Sequence, residues 1–292
     1  MVTSLAYVAP TTQDEVLARL HNLGPDAKVL AGGQDLMPLL NQGRLRAACL
    51  VDLKALTQLA TVRMEDGALV VGAMTTHHTI ERLRHPAAGP RLVAEAAGQI
   101  GGGLQVRNRG TIGGALCAAN PAYDYLSPLV AIEAHLTVAR VAGRRHLAIG
   151  DLFQSATALR ADELLTEIAI PDLGPDSGWA YEKLKFTDGG YGIANAACIV
   201  ALHPDHSYRF VRLALGGVAA APIRLRTVEA MLTGSRLIDT VLNDVAAQAA
   251  ALVDEPIADV MADGEYRRAM AGVVTRRALV RATERARGKA PQ

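Results

Sequence analysis

The chain has 292 residues, of which 50% are hydrophobic and 20% are charged, so it is long enough for two domains that each bury a core. Its 30 Lys and Arg residues balance 29 Asp and Glu residues, which excludes the strongly basic surface expected of a nucleic-acid or membrane-surface binder. We therefore expect its partners to be proteins and small molecules.

The first part of the chain alternates short apolar runs with amphipathic helical patterns, which is typical of a βαβ unit within an α+β fold. Thr12 and Glu15 have the spacing of a capping box and predict the start of a helix that ends near Asn22. The elements predicted after it are a strand at 28–31, a helix at 36–42, strands at 49–53 and 68–73, helices at 76–84 and 91–100, and strands at 135–141 and 165–170.

A segment rich in Pro, Gly and Asp at 171–177 suits a linker, and the pattern changes after it to successive strand-like runs, as in an antiparallel meander. These strands are predicted at 179–186, 193–202 and 208–215, and helices follow at 227–232, 238–252 and 266–285. The change predicts a first domain at 1–175, with lobes at about 1–57 and about 58–175, and a C-terminal sheet-and-helix domain at 178–288.

Residues 1–10 have no basic stretch and no apolar run of signal-peptide length, and no later segment approaches the roughly 20 uninterrupted apolar residues of a membrane span. We therefore expect a cytoplasmic protein without a membrane span. Cys49, Cys117 and Cys198 lie too far apart for a disulfide framework or for the closely spaced thiolates of iron–sulfur and zinc sites. We expect them to be small core residues, and we expect no metal site in this chain.

The clearest local feature is the first glycine segment, residues 31–35 (Ala-Gly-Gly-Gln-Asp), between a predicted strand and a predicted helix. Paired glycines let the backbone approach a ligand closely, and exposed N–H groups at a helix start favour phosphate. The segment has neither the GxGxxG nor the GxxxxGK[ST] pattern, which disfavours an ordinary Rossmann or P-loop site. A plain turn is the other interpretation.

The second glycine segment is residues 110–114 (Gly-Thr-Ile-Gly-Gly), which follow Arg107, Arg109 and a glycine run at 101–103. So many glycines in a short stretch indicate backbone packed closely against something flat or phosphorylated. Glycines that serve tight loops, with solvated or structural arginines, remain the alternative. The two segments together raise the hypothesis of a shared dinucleotide site.

Four spaced motifs extend these observations: residues 31–40 (AGGQDLMPLL), 106–114 (VRNRGTIGG), 181–185 (YEKLK) and 264–268 (GEYRR). They resemble the medium, flavin-binding subunit of carbon monoxide dehydrogenase and its relatives in the xanthine dehydrogenase, or molybdenum hydroxylase, family. Residues 72–77 (GAMTTH) and 215–218 (LGGV) match as well, so the resemblance covers nearly the whole chain.

The resemblance implies a two-part FAD-binding domain of the vanillyl-alcohol-oxidase-like type, followed by a smaller domain with an antiparallel sheet and helices. It implies an oxidoreductase subunit that passes electrons from iron–sulfur clusters on a partner chain through FAD to an external acceptor. A large molybdopterin-binding subunit and a small subunit with two [2Fe-2S] clusters would be its partners, in two copies of each. No catalytic residue, metal ligand or nucleic-acid partner is implied for this chain.

The resemblance also implies roles for single residues. Residues 31–35 and 111–115 bracket the FAD pyrophosphate with main-chain N–H groups, Gly101 lines the same cleft, Asp124 accepts hydrogen bonds from FAD hydroxyls, and Lys183 and Tyr191 lie at the isoalloxazine ring. The FAD-binding residues expected on this basis are Val29, Leu30, Ala31, Gly32, Gly33, Gln34, Asp35, Leu36, Gly101, Thr111, Ile112, Gly113, Gly114, Ala115, Asp124, Leu165, Lys183 and Tyr191.

Two residues depart from the family pattern. Asp35 stands where Ser or Thr is usual, so its carboxylate either repels the diphosphate or turns away to cap the next helix. Ala115 replaces a usual Asn or Asp and loses a side-chain contact. One alternative is a self-contained flavin oxidase or reductase, with His77 or His78 as its acid or base. Another is a non-catalytic scaffold that has lost flavin.

Overall fold

A computed structural model describes residues 5–154 and 158–288. Their helices are α1 (Gln13–Leu23), α2 (Leu36–Asn41), α3 (His77–Glu81), α4 (Ala88–Gly98), α5 (Gly103–Arg109), α6 (Ile112–Ala118), α7 (Leu126–Ala131), α8 (Arg226–Leu232), α9 (Asp239–Ala251) and α10 (Gly264–Ala286). Their strands are β1 (Ala6–Val8), β2 (Ala27–Leu30), β3 (Cys49–Asp52), β4 (Val62–Glu65), β5 (Ala68–Gly72), β6 (His135–Arg140), β7 (Gly143–Ala148), β8 (Leu164–Pro171), β9 (Gly178–Lys185), β10 (Gly192–Leu202), β11 (Tyr208–Gly216) and β12 (Ile223–Arg224). The predicted α+β class is confirmed.

The described residues divide into two units by their internal contacts. Unit 1 takes the described residues of Met1–Thr79, Leu104–Ala118 and Ala134–Ala169. Unit 2 takes those of Ile80–Gly103, Ala119–Glu133 and Ile170–Gln292. The domain limits expected from the sequence therefore remain a prediction.

Unit 1 contains a parallel sheet with the strand order β1-β3-β2. The Thr12 hydroxyl accepts from the Glu15 N–H at 3.3 Å, and the Glu15 carboxylate accepts from the Thr11 N–H at 2.9 Å, which confirms the predicted cap of α1. The apolar side of α1 and the inner side of the sheet share a core formed in part by Val16, Leu17, Leu20, Ala27 and Val51. The predicted βαβ unit is therefore present, and the first glycine segment begins at the carboxyl end of β2.

Unit 1 also contains a sheet with the strand order β4-β5-β8-β6-β7, in which β6 pairs antiparallel with both β7 and β8. The sequence does not predict β4 or β7, because both are largely exposed and polar and lack a clear apolar alternation. It misses β1 because three residues are too few to show a period.

In unit 2, an antiparallel sheet has the strand order β12-β11-β10-β9, which confirms the predicted meander. Helix α10 packs on β9 and β10, and α7 contacts β10 as well. A Cβ on Gly178 would overlap the Ala282 carbonyl oxygen, and one on Gly272 would lie 2.5 Å from the Ala246 oxygen. Glycine therefore lets α10 lie close to the sheet and to α9. Although α10 is long, no helix among the described residues is apolar enough over a sufficient length to span a membrane.

The cysteines are free thiols, and two of them are in the predicted environment. Cys49 and Cys198 are buried, but Cys117 is exposed on α6. The prediction of a core position is wrong for Cys117, because the buried residues of that short helix, such as Ala115 and Leu116, take its inner side.

Candidate functional site

The first glycine segment offers hydrogen-bond donors. Among the described residues, no main-chain carbonyl accepts from the N–H groups of Gly32, Gly33 or Gln34. Gly33 has a φ of 73°, a left-handed conformation that favours glycine, and its carbonyl accepts from the Met37 N–H at 3.2 Å as α2 begins. Donors without a main-chain acceptor, at the end of a parallel strand, make this segment a candidate anion-binding cradle.

The two glycine segments lie backbone to backbone within unit 1. A Cβ on Gly32 would overlap the Arg109 carbonyl oxygen and lie 2.7 Å from the Gly110 Cα. A Cβ on Gly114 would lie 3.9 Å from the Ala31 Cβ. The sequence hypothesis that the segments share one site has this proximity in its favour.

The second glycine segment uses its N–H groups internally. The N–H groups of Ile112 and Gly113 donate to the carbonyls of Thr75 and Ala73, at 3.1 and 2.9 Å. Those of Gly114 and Ala115 donate to the hydroxyl and the carbonyl of Thr111, at 3.1 and 3.0 Å. Four of the five donors expected from residues 111–115 to face a pyrophosphate therefore already have protein acceptors.

The glycines of this segment allow close packing. A Cβ on Gly113 would lie 2.6 Å from the Ala73 Cβ, and one on Gly110 would lie 2.5 Å from His77 Nε2. Gly113 and Gly114 are also inside α6, so the expected loop is in part a helix. Their low helix propensity hides this helix from sequence patterns, whereas packing against Ala73 stabilises it.

His77 is buried against the second glycine segment. His77 is 6% exposed, and its main-chain N–H donates to the Gly110 carbonyl at 3.0 Å. Burial, with a smaller contribution from Arg107, lowers the pKa of His77 to about 4. The imidazole is therefore neutral at neutral pH and packs against Gly110, which disfavours His77 as the accessible acid or base of an oxidase.

Asp124 and Lys183 form a buried ion pair in unit 2. Lys183 Nζ lies 2.9 Å from Asp124 Oδ1 and 3.0 Å from Oδ2, and it donates to the Gln99 carbonyl at 3.0 Å. The Tyr181 hydroxyl donates to Asp124 Oδ1 at 2.6 Å. Burial raises the pKa of the Asp124 carboxyl, which Lys183 partly offsets, and burial together with Asp124 raises the pKa of Tyr181.

Tyr191 is 51% exposed, and its ring stacks on Tyr123 with 5.9 Å between the centroids. The turn before it is anchored by glycine. The Gly102 N–H donates to the Gly189 carbonyl at 3.0 Å, and a Cβ on Gly101 would overlap that same oxygen. Gly101 thus supports the turn that leads to Tyr191.

The other site residues expected from the sequence lie on or next to helices and strands of unit 1. Asp35 is the N-cap residue of α2 but makes no side-chain cap hydrogen bond, so the interpretation of Asp35 as a helix cap is wrong. Its αR backbone differs from the extended conformation of a capping residue. The remaining apolar positions line β2, the start of α2, α6 and β8: Val29, Leu30, Leu36, Ala115 and Leu165.

Sequence reasoning misses Tyr181, Gln99 and Tyr123. Tyr181 has a signal, because it shares a strand face with Lys183. Gln99 has none, since the atom that contacts Lys183 is its main-chain oxygen at the end of α4.

Comparisons with known proteins identify the family to which the chain belongs. Residues 3–173 match the family described as the FAD binding domain in molybdopterin dehydrogenase, and residues 179–282 match the CO dehydrogenase flavoprotein C-terminal domain. The carbon monoxide dehydrogenase medium chain of Hydrogenophaga pseudoflava is 35% identical over 94% of this chain and 95% of its own. The 6-hydroxypseudooxynicotine dehydrogenase complex subunit alpha of Paenarthrobacter nicotinovorans is 33% identical over 97% and 96%.

A solved structure of reconstituted CO dehydrogenase from Oligotropha carboxidovorans superposes with a TM-score of 0.92, at 34% identity, over 98% of this chain and all of that one. The fold and the matched domains define a flavoprotein component of an oxidoreductase. The chain belongs to the FAD-binding medium subunits of the molybdenum hydroxylase family.

Proposed function

We propose that this chain carries electrons from [2Fe-2S] clusters on a partner subunit, through its FAD, to an external acceptor. When bound, FAD supplies the chemistry, because it exchanges electrons singly or in pairs. The main observation behind the proposal is the cradle of main-chain donors at Gly32, Gly33 and Gln34, in a chain that belongs to an FAD-binding family. A diphosphate fits such a cradle because neutral N–H groups stabilise its charge without a bound cation.

The two glycine segments take different parts in binding the diphosphate. Residues 31–35 donate N–H groups to it, with Val29, Leu30 and Leu36 as apolar neighbours. Thr111 lies beside it, and the Thr111 hydroxyl oxygen accepts from the Gly114 N–H. Ile112, Gly113, Gly114 and Ala115 shape the backbone beside it, and Leu165 contributes an apolar contact.

In unit 2, Lys183 and Tyr191 lie at the isoalloxazine ring, and Asp124 lies at the polar part of the cofactor. Gly101 holds the turn that carries Tyr191. These roles are supported by the motif at residues 181–185 and by the direct contact of Lys183 with Asp124.

The partners follow from the cysteines and the family. Three distant cysteines supply no iron–sulfur ligand set, so the clusters belong on a small subunit and the molybdopterin cofactor on a large one. The relatives are named as a medium chain and as a subunit of a complex. We expect a cytoplasmic assembly with two copies of each subunit and no nucleic acid.

The test is purification from the native host, followed by separation of the subunits and analysis of each. We expect FAD on this chain, released completely by acid precipitation, with molybdenum and iron on two copurifying chains. An active monomer whose flavin is reduced by a small molecule in the absence of other chains would establish the self-contained oxidase instead.

A further inference from the structure

The Asp124–Lys183 pair is buried and hydrogen-bonded within unit 2. Lys183 has three N–H donors, and acceptors stand within 3.0 Å at both Asp124 oxygens and at the Gln99 carbonyl. The side chain is 0% exposed and that of Asp124 is 5% exposed. Because its side chain is buried, Lys183 acts on a neighbouring cofactor chiefly through its charge.

That charge is compensated twice. The Asp124 carboxylate cancels it as a whole charge, and the Gln99 carbonyl adds the negative end of the α4 dipole, because Gln99 is the C-cap of that helix. In a low-dielectric interior an uncompensated ammonium acts strongly over several ångströms, whereas a close pair acts only as a dipole. The pair is thus nearly neutral as seen from outside.

Neighbouring groups hold Asp124 and Lys183 in position. The Tyr181 hydroxyl fixes one Asp124 oxygen, and the Gln99 amide donates to the Tyr181 carbonyl at 3.3 Å, which ties the end of α4 to β9. Tyr181 and Lys183 are two residues apart on β9, so both side chains lie on the same face of the strand. Movement of Tyr181 would let Asp124 leave the ammonium.

We propose that Asp124 is a compensating charge that keeps Lys183 from raising the reduction potential of the flavin, and that Tyr181 is the positioning residue that holds Asp124 in place. The inference rests on the proposed function, since it takes Lys183 to lie beside the flavin ring. A net positive charge near that ring would stabilise the electron-rich reduced form.

The experiment measures the flavin midpoint potential of the FAD-loaded complex. Asp124→Asn is nearly isosteric and leaves the ammonium without its counter-charge. At a fixed solution potential we therefore expect the ratio of oxidised to reduced flavin to fall at least tenfold. For a two-electron couple this is a rise of about 30 mV. The double variant Asp124→Asn, Lys183→Met removes both charges, and its potential should return close to that of the parent.

Tyr181→Phe should raise the potential by less than Asp124→Asn does. Tyr208→Phe is its matched control, because Tyr208 is equally buried and bonds Thr283 at 2.7 Å within unit 2. FAD content and apoprotein melting are recorded for every variant. A bound flavin whose potential is the same in the parent, Asp124→Asn and Tyr181→Phe overturns the inference alone, whereas absence of FAD from the parent overturns the proposed function as well.

Discussion

The first and second glycine segments lie against each other in unit 1 but use their main-chain N–H groups differently. In the first, the N–H groups of Gly32, Gly33 and Gln34 donate to no main-chain carbonyl of the described residues. In the second, the N–H groups of residues 112–115 all have acceptors within 3.1 Å in the protein. The first segment therefore presents donors. The second segment, called the wall below, packs against the first with its own N–H groups already bonded.

This difference shows that glycine serves two purposes at one site. Gly33 allows a left-handed backbone that exposes donors, whereas Gly113 allows a helix to approach Ala73. A glycine cluster in a sequence indicates only close backbone approach. The destination of each N–H group decides whether the approach is to a ligand or to the protein.

The wall packs against a neutral His77, so acid should destabilise this part of the protein, and this is the largest effect that we expect. The folded pKa of His77 is about 4 and the unfolded value is 6.5, so the unfolded state binds more protons as the pH falls from 6.5 towards 4. At about 1.4 kcal/mol per pH unit, this difference of roughly 2.5 units destabilises the protein by up to about 3 kcal/mol. Urea unfolding of the apoprotein at several pH values measures this loss.

His77→Gln should lose about 3 kcal/mol less than the parent across that pH window. His21→Gln, at an exposed position of α1, should follow the parent. Equal pH slopes in the parent and His77→Gln would contradict the role given to the buried imidazole.

Periodicity and caps predict the elements that hold this site but not its hydrogen bonds. The capping box at Thr12 and the apolar patterns of β2 and β3 predict the parallel sheet, and the family resemblance carried by residues 181–185 implies a role for Lys183 at the flavin. Short α6 could not be predicted, because its glycines oppose a helix that only contacts with Ala73 stabilise. The Gln99 carbonyl could not be predicted either, since every residue has one.

Alanine at Gly113 and at Gly32 separates the wall from the donors. Each Cβ would meet fixed atoms, those of Ala73 or those of Arg109 and Gly110, so each substitution should cost about 1 to 3 kcal/mol of apoprotein stability. Because Gly113 is helical, better helix propensity should offset up to about 1 kcal/mol of its cost. FAD titration below the melting temperature should show weaker binding in Gly32→Ala and near-parent affinity in Gly113→Ala.

Gly150→Ala is the matched control in unit 1, because a Cβ there has no atom within 4 Å among its described neighbours. It should leave both stability and FAD affinity unchanged. If Gly113→Ala lowers FAD affinity as much as Gly32→Ala does, both segments donate to the diphosphate and the contrast between them fails.

The smallest expected effect concerns Asp35, the acidic residue at the end of the donor segment. A carboxylate beside a diphosphate adds repulsion, and serine would replace it with a hydroxyl donor. Asp35→Ser should therefore tighten FAD by about tenfold, or roughly 1.4 kcal/mol. Titration of the apoprotein with FAD measures the change.

Asp35→Ala distinguishes repulsion from capping, because Asp35 makes no side-chain cap bond to α2. Its cost in apoprotein stability should fall below the roughly 1 kcal/mol typical of a lost cap. Asp263→Ala is the matched comparison, since Asp263 does cap α10, accepting from the Tyr266 N–H at 2.7 Å, and should lose about that amount. Unchanged FAD affinity in Asp35→Ser would contradict repulsion between the Asp35 carboxylate and the diphosphate. Equal losses of stability in Asp35→Ala and Asp263→Ala would show that Asp35 stabilises α2 although it makes no cap hydrogen bond.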